Sequence, residues 1–290
     1  MKSTPWQVRF VHRGLDHSVG LNFGPDGRLY SGGELGQVYV MERGKEQPRE
    51  LARTGGFVGG LAIDAASNVY ACDSGKKAIL KIDQNGKIES YCSSVGSEKK
   101  PIVLPNYSMF DDSGNLYFSD SGPQGTYGDY WKATGKIVRV APDRTSIIIL
   151  GGLYFPSGLA LSADSKILYI VQSSAANVLM SRIESDGSLG VPEIFAQFPD
   201  TVPEGIAIDS VGNVYVSCYR PDAIYRIDTS RNVELVIRDD TSEILNRVTN
   251  IAFPPDSSPT IYFANMGGWH IGAVDVESGG MKLRFPKLVG

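Results

Sequence analysis

Six residues of different chemistry, Val19, Gly59, Asn106, Ser157, Glu204 and Thr249, hold one position of a segment that recurs six times along the chain, and Asn250 follows the last of them. Four are polar, and one of these is a carboxylate. If the copies converge on one place, that carboxylate is withdrawn from bulk water and needs a cation, a proton or a substrate donor close by. Glu204 is therefore the expected acid or base, Asn106 its expected catalytic companion, and Asn250 a neighbouring substrate contact.

The elements that must carry these residues repeat with them. Residues 202–240 give the plan: a strand of small residues, Gly205-Ile206-Ala207-Ile208; a turn from Asp209 to Gly212; a second strand ending in Tyr215; then strands 223–228 and 233–237. Tyr30, Tyr70, Tyr117, Tyr169, Tyr215 and Tyr262 mark the six copies, spaced about 40 to 52 residues apart. One four-stranded sheet cannot bury both its faces alone, so six of them are expected to pack face to face in a ring. The expected fold is all-β: a six-bladed β-propeller of four antiparallel strands per blade, one domain over residues 1–290. The run Trp6 to Val11 alternates like an outer strand and is expected to complete the sixth blade, which removes an exposed sheet edge. First strands then crowd around a shared tunnel, where the six aligned residues meet. Blade three alone has a long connection after its second strand, about residues 119–135, with Tyr127, Tyr130 and Trp131 among glycines; it reads as a lid over the tunnel mouth or as a cover for the side of the propeller.

With 42% hydrophobic residues in 290, there is ample core for one large domain, and 33 glycines with 16 prolines suit a chain built of turns. The net charge of −4 argues against a nucleic-acid or anionic-membrane partner and leaves a small molecule as the expected one. Cys72, Cys92 and Cys218 are odd in number and lack paired spacing, so they are expected to be reduced. The first residues show no apolar leader and no run reaches membrane-span length, so a cytoplasmic chain is expected.

The segments Pro203-Glu204-Gly205-Ile206-Ala207-Ile208-Asp209, Val216-Ser217-Cys218-Tyr219 and Val248-Thr249-Asn250-Ile251-Ala252-Phe253 resemble the regucalcin/gluconolactonase family of six-bladed propellers. Bacterial lactonases, paraoxonase and strictosidine synthase are related folds. The resemblance implies a divalent cation on the axis, Ca²⁺ first, with Mg²⁺, Mn²⁺ or Zn²⁺ as alternatives, that polarises a lactone carbonyl while a carboxylate activates water. Carried over, its ligands fall on Glu204, Asn106 and Ser157, but the family's blade-one glutamate falls on Val19, which ligates nothing. A replacement carboxylate is sought on the loops after the second strands, Glu34 first, then Asp73 and Asp120, with Gln172 and Asn265 nearby. Tyr219, Arg220, Trp269 and His270 lie on the same loops, and Asp120, Tyr219, Arg220 and His270 are expected substrate contacts.

Three activities fit these residues: a lactone or ester hydrolase with an altered cation site, a metal-independent strictosidine synthase-like enzyme using Glu204 as acid or base, and a propeller that binds a ligand without turning it over.

Overall fold

A carboxylate at the turn after each inner strand explains why the repeats fold alike. In blade five Asp209 accepts from the backbone N–H of Val211 and Asn213 and from the Asn213 amide, and Tyr215 reaches its other oxygen at 3.5 Å. The same arrangement joins Asp64 to Asn68 and Tyr70, and Asp111 to Asn115 and Tyr117. The repeated tyrosine therefore stands near the start of the second strand, as in Val214–Tyr219, and not at its end, because its hydroxyl must reach back across the turn.

The computed structural model describes residues 8–42, 44–45, 47–124 and 127–288; Trp6 and Gln7 of the expected closing strand lie outside these, as does the side chain of Tyr127. It is a six-bladed propeller of four-stranded antiparallel sheets, each ordered from the axis outward. The inner strands are Leu21–Phe23, Val58–Ile63, Pro105–Phe110, Pro156–Leu161, Val202–Ile208 and Val248–Ala252. Val8–Arg13 pairs with His270–Asp275 as the outer strand of blade six, so the two ends of the chain share one sheet. An Arg9–Asp275 ion pair at 2.6 Å lies across this closure.

The core lies between blades. Six apolar clusters each join the facing sheets of two neighbours, for example Tyr215, Ile224 and Val236 of blade five with Val248, Ile251 and Phe263 of blade six. Nearer the axis the strands come too close for side chains. A Cβ on Gly205 would sit 2.7 Å from the Asn250 Cα, and one on Gly20 would sit 2.0 Å from the Gly59 carbonyl oxygen, so glycine is required after the axial residue at both places. Hydroxyls bridge neighbouring blades near the axis: Ser119 donates to the Ser157 carbonyl, Ser157 to the Glu204 carbonyl and Thr249 to the Val19 carbonyl.

The chain's last segment crosses the face opposite the long loop. Met281 N–H donates to the Ile208 carbonyl, Arg284 to the Ser162 carbonyl, and Ala65 N–H to the Pro286 carbonyl, so one strap touches blades five, four and two. Beneath it Met281 to Phe285 close a small cavity of about 120 Å³, lined mostly by apolar side chains of the inner strands. All three cysteines are free and buried, and no helix among the described residues is long and apolar enough to cross a membrane.

Candidate functional site

The register between first and second strands slips at the axial position in five blades, between Val58 and Leu61, Pro105 and Tyr107, Pro156 and Leu159, Pro203 and Ile206, and Val248 and Asn250. Such irregularities re-aim a side chain out of the ladder. Here five of the six aligned residues, Val19, Gly59, Asn106, Glu204 and Thr249, come to line one cavity of about 210 Å³. Tyr130, Tyr219, Arg247, Gln124 and Ser74 join them.

Glu204 keeps exposure only in part, and it lines this cavity. Burial pushes its carboxyl up to about 7, against the opposing pull of the Arg247 guanidinium and the Tyr219 hydroxyl. The Tyr219 phenol is pushed up in turn, first by the charge of Glu204 and then by burial, so it stays a proton donor at neutral pH. Asn106 donates one amide hydrogen to the Ser121 hydroxyl, which leaves its other hydrogen and its carbonyl for a ligand. The cavity can thus hold a small molecule against a proton-exchanging carboxyl and neutral donors.

The remaining expected residues go elsewhere, for one recurring reason: the residue closing the second strand ties down the segment that leads into the inner strand of its own blade. Asp120 is fully buried, accepts from the N–H of Val103 and Leu104, and pairs with Lys136 at 3.2 Å. Asp73 accepts from Phe57, Gln172 from Tyr154 and Asn265 from Asn246 in the same way. Asp120 is therefore a fold residue and not a substrate contact. His270 is also spent, with Nδ1 on the Gly268 carbonyl and Nε2 against the Asn265 amide, and burial holds its pKa down. Asn250 is buried outside the cavity with its side-chain carbonyl unpartnered, and Arg220 is exposed away from it. In the long loop Tyr130 stacks on Phe155 at 5.0 Å and lines the cavity, whereas Trp131 is 58% exposed and does not.

The residues missed in sequence follow a rule that sequence does contain. It is a fixed offset: the positions two before the axial residues are His17, Phe57, Leu104, Phe155, Val202 and Arg247, and most of them stand just ahead of their inner strands. Four of these, Phe57, Leu104, Phe155 and Arg247, line the cavity.

The axial donors do not fit a hard dication. Glu204 is the one carboxylate lining the cavity and faces a guanidinium; Val19 offers no donor; and the Ser157 hydroxyl is engaged by Ser173 and the Glu204 carbonyl. Glu34 does not join them. It meets His17 Nδ1 at 2.8 Å, with Asp16 at 2.7 Å from the same nitrogen. Among the described residues, Asp16, His17 and Glu34 are the one acid and histidine group that could surround an ion.

The chain is thus a six-bladed propeller with a small cavity of mixed polar and apolar lining where its inner strands meet. The chain belongs to the SMP-30/Gluconolactonase/LRE-like family, whose family model matches residues 34–266. It is 30% identical over 184 residues to a gluconolactonase of Zymomonas mobilis, a match spanning 57% of this chain but only 50% of that relative. It is 27% identical over 300 residues to lactonase drp35 of Staphylococcus aureus, spanning 95% of this chain and 83% of that protein. The solved structure of a gluconolactonase from Xanthomonas campestris shares the fold, with TM-score 0.79 at 20% identity over 94% of this chain and 91% of that one.

Proposed function

We propose that this chain hydrolyses lactones or related small esters in the axial cavity, with Glu204 as the proton-transfer group. The observation that carries the reading is the Glu204 carboxyl, raised to about 7 inside the cavity, beside the protonated Tyr219 hydroxyl. A group poised near neutrality both accepts and returns a proton in one reaction cycle. The kinship with gluconolactonase and drp35 lactonase supports the ester class. A volume of about 210 Å³ supports a small substrate, since sites for drug-sized ligands run from roughly 300 Å³ upward.

In this reading the Glu204 carboxylate takes a proton from water as the water oxygen attacks the lactone carbonyl. Tyr219 and the free amide hydrogen of Asn106 donate to the oxygen that becomes negative. As the ring C–O bond breaks, Glu204 returns its proton to the departing oxygen, and the product is the open hydroxy acid. No step is routed through a cation, because the axial donors do not fit one.

The test is a panel of lactones and aryl esters assayed with Ca²⁺, Mg²⁺, Mn²⁺ or Zn²⁺ and with chelator. Turnover is expected to persist in chelator, and Glu204→Gln is expected to lose at least about a hundredfold in rate. Full turnover by Glu204→Gln moves the chemistry off the axis; loss of turnover in chelator moves attention to Asp16, His17 and Glu34. The same metal-independent acid–base group also serves a strictosidine synthase-like condensation or cyclisation, which is told apart by a product formed without uptake of solvent oxygen.

A further inference from the structure

Arg247 is held on both sides before its side chain is placed. Its N–H donates to Asp222 Oδ1 at 2.8 Å, and its carbonyl accepts from Met266 N–H at 3.1 Å. Its backbone is in the left-handed region with φ of 54°. The side chain runs over the Tyr219 ring, with Cζ 5.6 Å from the ring centre, and reaches the axial cavity, where it is the one cation among the described lining residues.

The guanidinium forms no ion pair with any described residue. Arg9, Arg28, Arg53, Arg226, Arg231 and Arg284 each have a carboxylate within 3.1 Å. The charge of Arg247 acts on Glu204 across the cavity, but the two are not in contact as a pair. Arg247 is exposed, its backbone anchored and its guanidinium steadied by the Tyr219 ring, and space for a ligand lies between this unpaired cationic fork and a carboxyl group. A neutral ligand would leave the fork unused. A second carboxylate beside Glu204 alone would be repelled, whereas Arg247 balances its charge and offers two parallel N–H donors.

We propose that Arg247 binds a carboxylate of the substrate, so that the axial site takes small lactones or esters bearing a free acid group. The ester part of this statement rests on the hydrolase reading; the carboxylate part does not. The guanidinium would orient the acid group toward the loop side of the cavity and present the ester carbonyl to Glu204, Tyr219 and Asn106.

A matched pair of probes separates the two parts: 5-oxotetrahydrofuran-2-carboxylate and its carboxamide, which differ by one charge. Wild-type protein is expected to favour the carboxylate by about tenfold or more in kcat/KM, chiefly through KM, as suits a charge-assisted hydrogen-bonded pair. Arg247→Gln should bring that ratio to about one, and Arg247→Lys should restore part of it. A ratio near one in wild type, or a ratio unchanged in Arg247→Gln, overturns the proposal. Calorimetry with 2-hydroxyglutarate, the ring-opened acid, gives a readout without turnover. If neither lactone is hydrolysed but this acid binds wild type at least about tenfold more tightly than Arg247→Gln, the carboxylate site stands and the hydrolase reading falls. If Arg247→Gln, with wild-type melting, binds the acid as tightly as wild type does, Arg247 is only a cover for Tyr219 and the proposal falls.

Discussion

The proton-transfer role proposed for Glu204 rests on surroundings that stop short of satisfying it. Neighbouring carboxylates such as Asp120 and Asp209 gather several N–H donors each and serve the fold. Glu204 has one guanidinium at a distance and one phenol, and burial outweighs both. The consequence for stability has a definite sign. An ordinary glutamate ionises near 4.5 and Glu204 at about 7, so between these values the folded chain keeps a proton that the unfolded chain has lost. Stability therefore falls as pH rises through that window and stays reduced above it. Glu204→Gln removes the cost, so thermal melting should show the variant more stable than wild type by up to about 3 kcal/mol above pH 7, with the gap closing by about pH 4.5. A gap that is constant with pH would show that Glu204 ionises normally.

At the scale of elements, the strand plan was legible because it rests on local chemistry repeated six times. Turn carboxylates, aligned tyrosines and glycines after the axial residue each leave a mark in the sequence. The loop candidates misled for a physical reason: Asp73, Asp120, Gln172 and Asn265 are polar and cluster at one face, as ligands would, but each gives an acceptor to a backbone N–H of its own blade, although Asp73 Oδ2 stays buried without a partner. Arg247 went unread because it stands just ahead of its inner strand, outside the aligned axial positions, and meets the cavity by a side chain that lies over Tyr219. The long loop divides in a way the sequence did not show, since its two aromatics at 130 and 131 face opposite fates. Tyr130→Ala should raise KM several-fold on any substrate found by screening, because its ring lines the cavity; Trp131→Ala should leave KM unchanged. Equal effects of the two would mean that the loop acts only through its backbone.

For the whole molecule, stability hangs on closing the ring with the strand from the chain's beginning. Val8–Arg13 supplies the outer edge of blade six and carries the Arg9–Asp275 pair. Deleting residues up to Arg13 should expose the edge of His270–Asp275, lower the melting temperature by several degrees and promote association through unpaired strands. Unchanged melting after that deletion would mean that the ring is held by its inter-blade clusters alone.

The strap from Met281 to Pro286 has a kinetic meaning beyond its contacts. It lies across the far end of the axis and lines a half-open cavity there, separate from the one that holds Glu204. In the proposed reaction, product formed beside Glu204 is expected to leave on the loop side, past Tyr130 and Arg247, which line that cavity. A product slow to pass those two side chains would hold up the next arrival, while the strap leaves the opposite face to a cavity of its own.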